Sequence, residues 1–177
     1  PEKLIFANQG AARIFLACRD YRKTLEHARN ALDLASKYEL VDVWTAPMKG
    51  LLGWAIAKLG QMPGGLEQTR QALDVLKRVG NTNLAPLLSG IHAEISMDAG
   101  HIEEGLAAVS DALEVAQKTG MRHYDAELYR LKGELLLRQA YRHPISYRSS
   151  GQRADAEACF ERSIEIARQQ QSRSFEL

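Results

Sequence analysis

Two stretches of this chain, "GQMPGGLE" (60–67) and "GHIEEGLA" (100–107), each carry two glycines separated by four residues. That spacing opens a phosphate-binding loop. Such a loop continues with Lys and then Ser or Thr, because an ammonium must reach the phosphates and a hydroxyl must reach Mg²⁺. Here the continuations are Leu66-Glu67 and Leu106-Ala107, and Glu103 and Glu104 would repel an anion. No nucleotide site is expected, and the recurrence after forty residues becomes the stronger signal.

Other chemistry is equally sparse. His27, His92, His101, His123 and His143 include no pair at i, i+4 and no His–Cys pair at ligand spacing. His123 and Glu127 are four apart, which reads as a solvated contact at a helix start. There is no G-x-S-x-G, and neither Cys18 nor Cys159 has a histidine near in sequence to activate it. Both cysteines lie in helical patterns and read as small buried hydrophobes. Glu103 and Glu104 suit a helix first turn, where negative charge favours the dipole. The segment reads as non-catalytic, without metal or cofactor. One stretch stands out, "RQAYRHPISYRSSGQR" (138–153), with Arg138, Arg142, Arg148, Arg153, Tyr141 and Tyr147 and no acid. Interleaved Arg and Tyr can hold phosphate or a nucleic-acid strand. Pro144, Ser149, Ser150 and Gly151 argue instead for a solvated loop between helices, with a neighbouring domain as its contact.

Composition narrows the class further. The 177 residues are 45% hydrophobic and 25% charged, with 23 basic and 22 acidic residues and a net charge of +1. No whole-molecule field draws in nucleic acid or anionic lipid. No apolar run reaches the roughly 18 residues a membrane span needs, and no signal peptide stands at Pro1. A reducing cytoplasm is the expected location. A chain that opens on Pro rather than Met reads as a piece of something longer.

What must position any site is a repeat. Small residues recur at Ala12, Gly53, Ala93 and Gly133, in steps of 41, 40 and 40. An Ala-Leu pair recurs at Ala31-Leu32, Ala72-Leu73 and Ala112-Leu113, and Ser163-Ile164 continues it after a longer step. Apolar residues follow helical spacing, as in Tyr21, Leu25, Ala28, Leu32 and Ala35. Four units are expected at 3–40, 41–82, 83–121 and 122–172, in a single domain. Each is a helix pair: 3–18 with 20–37, 42–59 with 64–79, 84–99 with 102–119, and 123–141 with 152–171. Breaks fall at Cys18-Arg19-Asp20, Gly60–Pro63, 80–83 and Gly100. Gly60 and Gly100 then sit in turns, while Gly65 and Gly105 mark small packing positions.

This pattern resembles the tetratricopeptide repeat. Its signature small positions fall on Ala12, Thr24 and Ala31; Gly53, Gly65 and Ala72; Ala93, Gly105 and Ala112; and Gly133, Ala156 and Ser163. The large fourth position is kept only at Tyr129, being Asn8, Lys49 and Ser89 elsewhere, and the units are longer than usual. The stretch "AELYRLKGELLLRQ" (126–139) and "AEACFERSIEIARQQQSRSFEL" (156–177) resembles the C-terminal repeat region of bacterial adenylate/guanylate cyclase–predicted ATPase signalling proteins. The resemblance implies an all-α, right-handed α-α superhelix and a protein-interaction or regulatory role in cytoplasmic signalling. The related maltose-regulator type of transcription factor implies a small-molecule sensor instead. None of the cyclase or ATPase motifs is present in these residues.

Carried onto this sequence, the inward-lining positions of the repeat are Gln9, Arg13 and Leu16; Trp54 and Lys58; Glu94, Met97 and Asp98; and Glu127, Arg130, Glu134 and Arg138. Their mixed signs differ from a basic clamp for a C-terminal carboxylate. Trp54 has two readings, a partner anchor on the concave face or packing beneath the neighbouring unit. Partners are expected to be proteins, including the parent's own output or ATPase domains. Apolar ends at Leu4, Ile5, Phe6, Phe175 and Leu177 suggest self-association.

Overall fold

The computed structural model describes residues 2–39, 42–142 and 147–170, with side chains described outside 42–44 and 147–150. The described residues form eight helices: α1 (Glu2–Ala17), α2 (Tyr21–Lys37), α3 (Asp42–Lys58), α4 (Met62–Arg78), α5 (Ala85–Ala99), α6 (Ile102–Thr119), α7 (Asp125–Arg142) and α8 (Tyr147–Gln169). Consecutive helices pack as pairs, and each pair packs on the next. The odd-numbered helices also touch along a row, α1 with α3, α3 with α5, and α5 with α7. They form an inner layer behind which α2, α4, α6 and α8 stand.

The helix ends repeat as faithfully as the helices do. Gly60 and Gly100 turn the chain within their units with φ of +102° and +82°, and Gly80 and Gly120 end the following helices at +64° and +75°. Glycine takes this left-handed conformation without a Cβ penalty. At the equivalent places in the first unit stand Arg19 (φ +57°) and Glu39 (φ +51°). Asp20 then caps α2, its carboxylate accepting from the Lys23 backbone N–H at 3.0 Å.

Small residues set the spacing of the pairs. A Cβ built on Gly65 would stand 2.4 Å from the Ala57 Cβ and 2.5 Å from the Gly53 carbonyl oxygen. One built on Gly133 would meet the Phe160 ring at 2.7 Å, and one on Gly105 the Leu135 side chain at 2.8 Å. Ala12, Ala31, Ala72, Ala93 and Ala156 are fully buried at the matching places. Ser163 is buried too, and its hydroxyl donates to the Ala126 carbonyl at 2.7 Å, tying α8 to the start of α7. Central position shows in α5, where every residue from Pro86 to Met97 is buried. Ser89, His92, Glu94 and Ser96 are among them, so α5 is enclosed on all sides although it is not apolar throughout.

Three sequence expectations are corrected. Cys18 is exposed, because it lies in the turn beyond α1, whereas Cys159 is buried. The segment between α7 and α8 is shorter than a loop of 142–151, since α7 reaches Arg142 and α8 begins at Tyr147. Contacts between the two helices support the added turns: the Arg153 guanidinium lies 5.4 Å from the Tyr141 ring, and Gln152 donates to Gln139 at 2.7 Å. Pro144 and His143 lie outside the described residues. At the amino-terminal end Ile5 is buried while Leu4 and Phe6 are about half exposed. Phe175 and Leu177 lie outside the described residues.

Candidate functional site

The inner layer curves tightly enough for its first and fourth units to meet. Arg13 of α1 donates to the phenolic oxygen of Tyr124, at the entry to α7, over 2.6 Å. Between them lies a groove of about 680 Å³, lined from α1 by Gly10, Arg13 and Ile14, from α5 by Leu87, Gly90 and Ile91, and from α7 by Leu128. Arg19, Glu94, Glu127 and Arg130 complete the lining with charge. Its size falls in the range of about 300–1,000 Å³ typical of ligand pockets, with an apolar body and few polar groups.

The charged groups converge on Glu94. Its carboxylate receives the Lys58 ammonium at 2.6 Å, the Arg19 guanidinium at 2.5 Å and the Trp54 indole N–H at 3.1 Å. Burial alone would push its pKa up. The hydrogen bond and charge of Lys58, the charge of Arg19 and the Trp54 bond outweigh that, so it lies below the ordinary carboxylate value. Lys58 is held up in turn, its burial opposed by hydrogen bonds to Asp98 and Glu94. Asp98 stands 2.5 Å from the Lys58 ammonium. On the far side Arg130 pairs with Glu127 at 2.6 Å and also with Glu134. Arg19 joins the two groups, its guanidinium 3.8 Å from Glu127.

Of the inward-lining residues expected from sequence, Arg13, Glu94, Glu127, Arg130 and Leu16 line the groove. Lys58 pairs with Glu94 and Glu134 with Arg130 without lining the groove themselves, and Asp98 pairs with Lys58. Gln9 is not among the lining residues. Arg138 is exposed and reaches the Met97 carbonyl at 3.5 Å. Trp54 and Met97 are buried, so neither presents a surface. Of the two readings of Trp54, packing is the one the geometry fits: its ring lies beneath the Arg19 guanidinium at 5.9 Å and beside Tyr21 at 5.0 Å. Removing a ring so buried typically costs about 3–5 kcal/mol.

Sequence reasoning missed Arg19 and Tyr124. Arg19 had a signal: it occupies the left-handed turn position that Gly60 and Gly100 fill in the next two units. Glu39 departs in the same way at the place of Gly80 and Gly120 without lining the groove, so that signal alone did not single out Arg19. Tyr124 falls within the helix expected at 123–141 but at none of its inward-lining positions, and the structure places it just before α7.

One cluster has the outline of a nucleophile relay. Thr69 Oγ1 lies 2.8 Å from His92 Nδ1, and His92 Nε2 lies 3.0 Å from Glu104. Yet the Thr69 hydroxyl is fully buried between α4 and α5 and within reach of the Gly65 and Leu66 carbonyls. No substrate atom can approach it, and the cluster serves to pin α5 against its neighbours.

No family model matches this chain. An uncharacterised protein of Rhizobium meliloti (strain 1021) is 26% identical over 152 residues, covering 85% of this chain and 14% of that protein. The chain thus spans a small part of that relative's length. Among solved structures, the nearly identical TPR-like repeats of a protein assigned as a Podospora anserina kinesin light chain superpose with a TM-score of 0.57. They share 16% identity, over 95% of this chain and 97% of that one. Bacillus thuringiensis PlcR, solved with the peptide PapR7 and DNA, superposes with a TM-score of 0.59 and 14% identity, over 93% of this chain and 70% of that one. The fold is tetratricopeptide-like. As in such folds, the first helix of each pair faces the concave side, and the groove described above lies on that face. Among the described residues no helix is long and apolar enough to cross a membrane.

Proposed function

We propose that this chain is a recognition module that binds a short segment of a partner protein in the α1–α5–α7 groove. The observation that carries this reading is the groove itself, apolar in its body, charged at its rim and open to one face. Likeness to PlcR, a structure holding a peptide, supports a peptide-sized occupant. The sequence resemblance to cyclase–ATPase signalling proteins supports a regulatory setting in the cytoplasm, with the module reporting to an adenylate or guanylate cyclase output domain. A second reading, a small-molecule sensor of the maltose-regulator type, draws on the Arg13–Tyr124 bridge that partly closes the groove.

Gly10 supplies the test. It lines the groove, and a Cβ added there meets nothing within 4 Å. Gly10→Phe should therefore fill the groove without disturbing the fold. Peptides selected from a phage library on the native chain should bind this variant about tenfold or more weakly, while its unfolding temperature stays equal or higher. Peptides that bind both proteins alike would overturn the proposal. Under the sensor reading, selection yields no peptides and small sugars protect the native chain from heat.

A further inference from the structure

In the fourth unit the large residue of the repeat is present and its surroundings are filled. Tyr129 packs against Ala126 of its own helix and Ile166 and Ala167 of α8. One turn earlier Asp125 is joined to Arg122 at 2.9 Å. In the third unit the same repeat places hold smaller residues: Ser89 for Tyr129, Ala85 for Asp125, Thr82 for Arg122 and Val115 for Ile166. There a cleft of about 240 Å³ opens between α4, α5 and α6, walled by Leu73 and Leu76 on one side and Ala112 and Val115 on the other. Ser89 lines it, is 7% exposed, and its hydroxyl makes no hydrogen bond among the described residues. A hydroxyl so enclosed ordinarily has a partner. At the outer edge Lys77 and Asp111, both largely exposed, stand 4.0 Å apart with opposite charges.

We propose that this cleft binds a small free phenol, its ring between α4 and α6 and its hydroxyl turned inward to Ser89. The site is separate from the α1–α5–α7 groove and does not rest on the peptide reading. A cavity of about 150 Å³ with aliphatic walls is enough to hold benzene. A cleft of about 240 Å³ therefore has room for a ring with a short substituent. An apolar body with one or two placed polar groups is the usual make-up of a ligand site. A phenol can give or take the bond with a serine, so it satisfies the Ser89 hydroxyl in either sense. It is also neutral, which suits a mouth where Lys77 and Asp111 offset each other. A tyrosine on a partner protein would have to bring its backbone up to that pair, whereas a free ring passes between them.

The test titrates the whole chain with p-cresol, toluene and N-acetyltyrosinamide, read by NMR of the methyl groups. p-Cresol should shift the Ala112 and Val115 signals saturably and leave Ile14 and Leu128 of the groove unmoved. It should bind about two- to tenfold more tightly than toluene, the range of one neutral hydrogen bond. It should also bind more tightly than N-acetyltyrosinamide. Ser89→Ala keeps the space and should erase the preference for p-cresol while toluene still binds. Ser89→Tyr restores the ring and should abolish binding of both, and Ser89→Val, a smaller plug, should weaken both. No shift at Ala112 and Val115 up to the solubility limit of p-cresol would overturn the proposal. So would equal binding of p-cresol and toluene, a preference that survives Ser89→Ala, or unaltered binding in both plugged variants. Tighter binding of N-acetyltyrosinamide would overturn the free ligand and give the cleft to a partner's side chain.

Discussion

A carboxylate withdrawn from water is unfavourable unless its charge is met, and Glu94 meets that condition with donors from two other units. Lys58 and Trp54 come from α3, and Arg19 from the turn after α1. Because the folded pKa of Glu94 is depressed below 4.5, its contribution to stability is complete above that value and is lost as pH falls through the folded pKa. Lys58 acts on the opposite limb. Its raised pKa gives stability that is complete below 10.5 and lost as pH climbs through the folded value. Urea midpoints measured across pH should fall as pH drops through the folded value of Glu94 and as it climbs through that of Lys58. Glu94→Gln should cost about 1–3 kcal/mol at neutral pH, because Lys58 keeps Asp98 and Arg19 keeps Glu127, and should flatten the acid limb. A variant with an unaltered acid limb would show that Glu94 is not its source. This part of the site was legible in the sequence. Arg13, Trp54, Glu94 and Glu134 occupy one repeat position, so their common facing follows from spacing alone. What spacing could not reveal was which of them water reaches. Trp54 and Arg13 share a position yet differ entirely in exposure, because Trp54 lies in an interior unit beneath Arg19 and Arg13 lies on an end unit.

At the scale of the helix, two glycines of the same type should respond in opposite ways. Gly10 is in mid-helix with open space around it, so Gly10→Ala should stabilise α1 by about 0.5–1 kcal/mol through backbone entropy. Gly65 stands where α3 and α4 nearly touch, and its new methyl would collide with the Gly53 carbonyl and the Ala57 methyl. Gly65→Ala should cost about 1–3 kcal/mol, the strain outweighing the gain in helix propensity. Chemical denaturation of the two variants checks both signs together, and a stabilised Gly65→Ala would refute the close approach. The helix pairs were readable because close approach demands small residues and the demand recurs every forty or forty-one positions. The start of α8 was not readable. Ser149, Ser150 and Gly151 favour turns by local preference, and the contacts of Gln152 and Arg153 with α7 override that preference.

Across the molecule, the unusual contacts are those that join the first unit to the third and fourth. Arg19 reaches Glu94 and Glu127, and Arg13 reaches Tyr124, over separations of 75 to 111 residues. An open solenoid has only nearest-neighbour interfaces, so its curvature is set unit by unit. Here the curvature is also held from within. Arg19→Ala removes two of these ties at once and should open the inner layer, raising the radius of gyration in solution scattering above that of the native chain. Restoring the charge as Arg19→Lys should recover it only in part, since a lysine lacks the planar fork that spans both carboxylates. Identical scattering from Arg19→Ala and the native protein would mean that packing alone sets the curvature.

Tyr124 and Arg130 also fix when the groove comes into being. Chains emerge amino-terminus first and their parts fold as they appear. The walls supplied by α1 and α5 can be in place while the wall from α7 is still unmade. Until residue 130 has left the ribosome there is an apolar shelf but no enclosed site, and Arg13 has no phenol to hold it. A nascent chain that stops short of α7 therefore lacks the enclosed groove, and the groove forms once α7 has packed on α5.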